Sequence, residues 1–436
     1  MATLNPQSAS WFHRVRRWLY TIACHDFFPA LSSRVRRYFY NPLGILILAA
    51  VVSLLCGFFL QSQGYVLCGG VLSVIALGLV WPWLTIRGLT GTLSFEQSRA
   101  SEGESVEVRL TLRNRLPWTG WGIAVHGGFD VDSGRALAGV ASTPGRRTAV
   151  CRWRFSPSRR GIYPLIQPRL GSGFPFGLWE ARRPLAVDSP LLVWPQTFPV
   201  GPVPPVRGDQ QIEGNVSRNK VGTIGDVLGV RPYRRGDSPR RIHWGQSAKH
   251  NRLIVCELQS NARPVIQIVL DADPRIHVGQ GVNSSREWAI RIVASLASGW
   301  LEQGAQVGLA WADFDIPPAS GITQTHRILD ALASLPDEAG KPLETVLACP
   351  RCRGFRDGLQ VIVTTDRLHL HAHCQACVTN DQRWVVLRAV SFAETGDEGR
   401  PHCESDKHPR PWLLIDSRDN VPQLLRNGWR EARHGS

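Results

Sequence analysis

Gly225-Asp-Val-Leu-Gly-Val-Arg-Pro-Tyr-Arg-Arg-Gly-Asp-Ser-Pro-Arg-Arg-Ile-His-Trp-Gly-Gln-Ser-Ala-Lys249 separates two halves of different pattern. The pairs Gly225-Asp226 and Gly236-Asp237 each predict a turn, and residues 227–233 read as a short extended piece. Asp237 or Ser238 is placed to cap a helical turn with Pro239 as its first residue, where a missing N–H costs nothing. That turn is expected to present Arg240, Arg241 and His243 and to bury Ile242 and Trp244. Two compatible readings follow. In one, Arg231, Arg240 and Arg241 pair with Asp226 and Asp237 and pin an irregular segment between domains. In the other, the arginine forks form a docking surface for an acidic partner or a phosphate. His243, beside Trp244, reads as a hydrogen-bonded structural residue rather than a base.

Upstream, residues 92–200 show period-two alternation. Val106, Val108, Leu110 and Leu112 alternate with Glu107, Arg109 and Thr111, and Cys151, Trp153 and Phe155 alternate with Val150, Arg152 and Arg154. Turn residues at Asn114, Gly127-Gly128, Pro144-Gly145 and Arg160-Gly161 punctuate the region, which predicts an antiparallel β-sandwich. A proline-rich exit begins at Trp194-Pro195 and leads into the segment 201–262. Further upstream, residues 43–60 and 65–86 are uncharged apolar runs, joined through Gln61-Ser-Gln-Gly64. Each is long enough to cross a hydrocarbon core of ~30 Å as a helix, so 43–86 predicts a transmembrane helical hairpin. Six arginines precede the first run, none lies between the runs, and Arg87 follows the second. The positive-inside rule then puts both ends and the soluble domains in the cytoplasm, with the protein multi-pass in its membrane. Residues 1–42 are basic and aromatic, and His13-Arg-Val-Arg-Arg-Trp-Leu-Tyr20 is echoed by Ser33-Arg-Val-Arg-Arg-Tyr-Phe-Tyr40. This juxtamembrane segment reads either as an interfacial helix on anionic lipid or as an ordinary basic flank.

Downstream, residues 263–436 alternate strands and helices. Val265–Leu270 is a continuous apolar strand. A helix follows over 285–301, with an apolar stripe through Trp288, Ile292 and Leu296 and an end at Gly304. Strands recur at Gln306–Trp311, Leu359–Thr365, 384–389 and 412–415, which predicts a parallel α/β sheet. Asp271, Asp273 and Asp366 fall at the C-terminal ends of two of these strands, where carboxylates and waters can hold a hard cation; Arg275 argues against it. Cys349-Pro-Arg-Cys352 and Cys374-Gln-Ala-Cys377 are two Cys-x-x-Cys pairs with 21 residues between them, near His369, His371, His373 and His402. A structural zinc on Cys349, Cys352, Cys374 and Cys377 is one reading; reduced thiols in a reducing cytoplasm is the other.

The formal charge of +15 and pI near 9.9 come with scattered arginines rather than one basic tract. No Walker loop, His-Glu-x-x-His, Gly-x-Ser-x-Gly or post-strand Gly-x-Gly-x-x-Gly occurs, so the expectation is a protein that is not an enzyme. Basic and aromatic residues mix only beside the apolar runs, where lipid is a better partner than nucleic acid.

The stretch 225–249 resembles the signature of the bacterial domain-of-unknown-function family numbered fifty-eight, G-D-x-x-G-x-R-x-Y-x-x-G-D-x-x-R-x-I-H-W-x-x-S-A-K/R. Gly225, Asp226, Gly229, Arg231, Tyr233, Gly236, Asp237, Arg240, Ile242, His243, Trp244, Ser247, Ala248 and Lys249 meet its fixed positions, and Arg241 lies among them. The resemblance implies a multidomain layout: transmembrane hairpin, β-sandwich, then an α/β von Willebrand factor A-like domain. The family's Asp-Pro-Phe-Gly-Leu motif reads Phe174-Pro175-Phe176-Gly177-Leu178 here, without the aspartate. The Asp-x-Ser-x-Ser metal motif of von Willebrand A-type domains reads Asp271-Ala-Asp273-Pro-Arg275, without either serine. The implied partner is a MoxR-type AAA+ ATPase, with the protein acting as a membrane-anchored interaction scaffold. The alternatives are a metal-dependent enzyme and a zinc-stabilised nucleic-acid adaptor.

Overall fold

The computed structural model describes residues 42–129, 136–204, 209–212, 215–234, 237–260, 263–336, 340–348, 355, 358–368, 382–392, 411–416, 418 and 420–431. The chain forms two compact units. The first comprises 1–94, 108–153 and 164–189; the second comprises 95–107, 154–163 and 190–436.

In the first unit, α1 (Pro42–Phe59) and α2 (Gln63–Gly88) are both long and apolar enough to cross a membrane. They form an antiparallel pair in which a side chain on Gly64 would sit 2.3 Å from the Gly57 nitrogen, so only glycine permits this approach. Much of their remaining surface is open: Phe58, Val66, Leu67 and Leu72 are all exposed. α2 runs directly into the strand Leu89–Phe95, which lies in a sheet ordered Ala186–Ser189, Leu89–Phe95, Val106–Asn114, Thr148–Phe155. Val106, Val108, Leu110 and Leu112 are buried, and Arg109 and Arg113 face out, as the alternation predicts. A second sheet is antiparallel throughout, in the order Ala136–Thr143, Gly120–His126, Arg169–Ser172, Ala181–Pro184.

The second unit contains a small sheet (Arg99–Ser101, Leu191–Trp194, Gly161–Tyr163), a three-stranded antiparallel sheet and a six-stranded sheet. The three-stranded sheet is β1 (Asp209–Ile212), β2 (Asn215–Pro232) and β3 (Ile254–Ser260), with α3 (Trp244–His250) between β2 and β3. The rest of the unit follows as β4 (Val265–Leu270), α4 (Ser285–Glu302), β5 (Gln306–Trp311), β6 (Phe314–Ala319), α5 (Ile322–Ala333), α6 (Leu343–Ala348), β7 (Leu359–Thr365), β8 (Gln382–Leu387), β9 (Leu413–Ile415) and α7 (Val421–Glu431). The order is β6-β5-β4-β7-β8-β9, parallel except for β6. Every residue of β7 is buried, as is all of β4 after Val265, because helices cover both faces of a parallel sheet. α4 supplies Ile292, Val293, Leu296 and Trp300 to the core, and Gly304 at φ 85° closes it. Its start is a capped turn in which Ser284 Oγ accepts from the Glu287 N–H at 3.3 Å.

The antiparallel β6 departs from the all-parallel expectation. Only Ala312 and Asp313 separate it from β5, and Ala312 adopts φ 44°. A two-residue connection can only reverse the chain, since a parallel crossover takes a dozen residues or more.

Candidate functional site: a pinned surface and a sheet edge

The signature stretch is built on the end of β2 and the start of β3. Arg231 and Asp237 form a two-pronged pair, Nη1–Oδ2 2.7 Å and Nη2–Oδ1 2.8 Å, and the Arg234 N–H adds a bond to Oδ2 at 2.8 Å. The Arg231 fork, helped by that N–H, holds the Asp237 carboxyl down to about 2. The Tyr233 N–H donates to Leu253 O at 2.9 Å, Ile242 bridges Val255, and the His243 N–H donates to Ile254 O at 2.8 Å. His243 Nδ1 accepts from the Gln246 N–H at 3.2 Å, which makes its ring the N-cap of α3. Ser247, buried in α3, accepts from the Ile254 N–H at 2.9 Å. His243 is therefore a capping residue in an irregular segment tied at five points.

Three expectations are corrected. Gly225 and Asp226 do not make a turn; they lie within β2. Gly222 and Val227 both register against Leu258, so residues 223–226 are extra chain absorbed as an irregularity of the strand. Ser238 starts the 3-10 turn Pro239–Arg241 but makes no side-chain cap, and the carboxylate of the other capping candidate, Asp237, is spent on Arg231. Trp244 is not buried. It is 68% exposed, because the buried side of the short α3 is the one that carries Ser247 against β3. Arg240 and Lys249 are exposed and have no carboxylate partner among the described residues, while Arg241 is half-buried. Gly236 lies outside the described residues.

At the C-terminal edge of the six-stranded sheet, Asp271 is 1% exposed. Thr364 Oγ1 donates to Asp271 Oδ2 at 2.8 Å, and the Asp273 N–H approaches Oδ1 at 3.3 Å. Burial pushes its carboxyl up to about 7. His277 Nε2 lies 2.9 Å from Asp271 O and its Nδ1 lies 3.2 Å from Ser285 Oγ. A carbonyl only accepts, so Nε2 carries the proton and the Ser285 hydroxyl donates to Nδ1. Burial pulls His277 down to about 4 and keeps the ring neutral. Asp273 Oδ1 accepts from the Arg275 N–H at 3.0 Å, and Asp366 Oδ1 accepts from the Ala389 N–H at 2.8 Å. Asp271, Asp273 and Asp366 thus each serve the local backbone. Among the described residues no three His, Cys, Asp or Glu side chains converge as metal ligands. Cys349, Cys352, Cys374 and Cys377 lie outside the described residues.

One cluster in the second unit escaped the sequence reading. Arg160 contacts Glu287 through Nη1, donates Nε to Leu332 O at 3.0 Å and Nη2 to Leu335 O at 3.1 Å, and its N–H bonds Glu102 at 2.8 Å. Arg291 Nε donates to Glu102 Oε2 at 2.7 Å. All four side chains are almost fully buried. They come from three separate places in the chain, Glu102, Arg160 and the i, i+4 pair Glu287 and Arg291, and the Ser284-x-x-Glu287 capping pattern marked one of them.

The profile of the family described as Protein of unknown function DUF58 matches residues 229–394, from the pinned arginine turn through β8. No curated protein matches the chain. Among solved structures, a CARDB domain from Pyrococcus furiosus aligns at 11% identity over 23% of this chain and 94% of its own, with a TM-score of 0.16. A β-glucosidase from Listeria innocua aligns at 13% identity over 24% of this chain and 16% of its own, with a TM-score of 0.16. A GH20 exo-β-N-acetylglucosaminidase from Vibrio harveyi aligns at 8% identity over 64% of this chain and 57% of its own, with a TM-score of 0.19. Scores this low relate neither fold nor function.

Proposed function

We propose that the protein is a membrane-anchored, non-enzymatic scaffold that docks an acidic partner through exposed side chains of the pinned segment, Arg240, Trp244 and Lys249. The observation that carries this reading is a segment tied at five points that still leaves a tryptophan 68% exposed and, within a few residues of it in the chain, two exposed cations without carboxylate partners among the described residues. Tryptophan and arginine are the residue types on which interface energy concentrates, and a rigid presenting segment lowers the ordering cost of binding. The partner implied by the family resemblance is a MoxR-type AAA+ ATPase. Helices α1 and α2 anchor the chain in the inner membrane, and the flanking arginines place the remaining domains in the cytoplasm. The region 92–200 reads as a β-sandwich and 263–436 as von Willebrand factor A-like. In support of the latter, numbering β4–β9 as strands one to six gives the doubly wound order 3-2-1-4-5-6 with the third antiparallel.

The test is a pull-down of the ATPase by the detergent-solubilised full chain, with thermal melts of each variant. Arg240→Ala and Trp244→Ala are expected to leave stability within ~0.5 kcal/mol, as surface changes generally do, and to weaken association. The Arg240 effect is expected to be larger at low salt than at high, since salt screens exposed charge. Partner loss only in variants that also melt early would reduce the stretch to a scaffold element.

A further inference from the structure

The first unit carries an apolar tip that the docking reading leaves unused. Between Arg169 and Glu180 the chain has no charged residue, and it includes Gly173-Phe-Pro-Phe-Gly-Leu-Trp179. This loop closes on itself through the Gly177 N–H to Gly173 O at 2.7 Å, with Gly177 at φ 65°. It nevertheless leaves Phe174 39%, Phe176 48% and Trp179 44% exposed, and Trp121, whose ring centroid lies 6.4 Å from that of Phe174, is 47% exposed. An isolated apolar residue on a surface needs no explanation; four large aromatics at one tip do.

The position of the tip along α2 says what covers it. Arg183 Nη1 reaches the carbonyls of Arg87 and Leu89, both at 3.4 Å, at the C-terminal end of α2. Five residues earlier in the chain, Leu178 lies against Gly78, where an added Cβ would stand 2.6 Å from Leu178 Cδ1 and 3.4 Å from Phe176 Cδ2. From Arg87 back to Gly78 the helix rises ~13 Å. The loop therefore climbs α2 from its charged end towards its middle. The buried positions on α2 trace the same track: Gly78, Pro82, Thr85 and Ile86 share a face at helical spacing. At the foot of the climb the charges reappear. Arg87 and Arg183 are exposed, as is Arg115, whose N–H bonds Gly88 O at 3.0 Å, and the Arg87 guanidinium lies 5.0 Å from the Trp83 ring centroid. Cations at headgroup level with aromatics just beyond them is the composition of a membrane interface.

We propose that the loop 173–179, with Trp121, is a membrane-inserted tip that enters the headgroup–acyl boundary alongside α2 and fixes how the first unit sits on the bilayer. The proposal rests on the reading of α1 and α2 as membrane spans. Its partner is lipid. The loop's own hydrogen bond and its freedom from charge suit it to that boundary, where unpaired backbone groups are costly.

A photo-crosslinking amino acid, p-benzoylphenylalanine, is placed singly at Phe176, Trp179, Leu72 and Ile166 in the full chain reconstituted into phosphatidylethanolamine–phosphatidylglycerol vesicles. Leu72 is exposed on α2 and reports on the span itself. Ile166 is equally apolar and 54% exposed but lies beyond the opposite end of the strand Arg169–Ser172, so it controls for mere hydrophobicity. Lipid adducts by mass spectrometry are expected at 176, 179 and 72 in comparable yield, with loss of signal at 166. Adducts at 72 but not at 176 and 179 would overturn the inserted tip and leave the spans standing. Absence at 72 would remove the spans and the tip with them. Protein–protein adducts at 176 would assign the tip to a second chain and equally refute the lipid assignment.

Discussion

Arg231 spends both prongs of its guanidinium on one carboxylate, and this divides the signature cations into two kinds. Asp237 is held near 2 by that fork, below the ~4 of an unfolded aspartate. The contribution is therefore complete above about pH 4 and lost as pH falls towards 2. Arg231→Ala is expected to lower the melting temperature at pH 7, with the gap from wild type narrowing below pH 4; a gap that does not move with pH would separate the effect from the Asp237 pair. Asp271 and His277 titrate in opposition. In the folded protein at pH 5–6 the Asp271 carboxyl, at about 7, holds its proton and the His277 ring, at about 4, lacks one. In the unfolded chain these states are reversed, so the two slopes of stability against pH cancel. Asp271→Asn leaves the histidine slope, and stability is expected to rise from about pH 4 to ~6.5. His277→Gln leaves the aspartate slope, and stability is expected to fall from ~4 to about 7. Denaturant unfolding across this range distinguishes the two, and parallel profiles would refute the pairing.

At the scale of elements, α4 has two jobs. One face fills the core with Ile292, Leu296 and Trp300, while its first two turns carry Glu287 and Arg291 to Arg160 and Glu102. Buried ion pairs add little over apolar residues of the same volume, yet breaking one strands a charge. Glu287→Ala is expected to cost about 3–5 kcal/mol by leaving Arg160 buried without its carboxylate. The double change Glu287→Leu with Arg160→Met is expected to recover much of that in urea unfolding. An equal loss in both variants would mean that packing, not charge, dominates here. The cluster was illegible in the sequence because Glu102 and Arg160 lie far from each other and from the i, i+4 pair Glu287 and Arg291, and no local pattern links the three places. The antiparallel β6 was legible in principle, since a connection of two residues between extended segments can only turn back.

For the whole molecule, the prediction is one of sidedness. Reporter fusions after Tyr40 and at Ser436 are expected to report cytoplasm, and one at Gln63 the opposite side. An external reading at Ser436 would overturn the orientation, and with it the expectation of reduced cysteines. The sequence by itself determined the elements whose pattern is local. The two apolar helices follow from uninterrupted apolar runs. The alternating strand Val106–Asn114 follows from period two, and β4 and β7 from continuous apolar segments between turns. It also marked the segment 225–249 by its turn signals and its density of arginines, but left open which cation meets which carboxylate; the structure pairs Arg231 with Asp237. Which way side chains face where local rules compete was decided by the tertiary structure alone. Gly225-Asp226 carries a turn signal but lies within a strand, because β3 pairs with the residues on either side, Gly222 and Val227, and the four residues between them are taken up as an irregularity. Trp244 carries a burial signal but stands in solvent, because β3 engages α3 through Ser247 and His243 and leaves no core for an indole. Hydrophobicity states only what a side chain gains by leaving water; whether anything is there to cover it depends on elements distant in the chain.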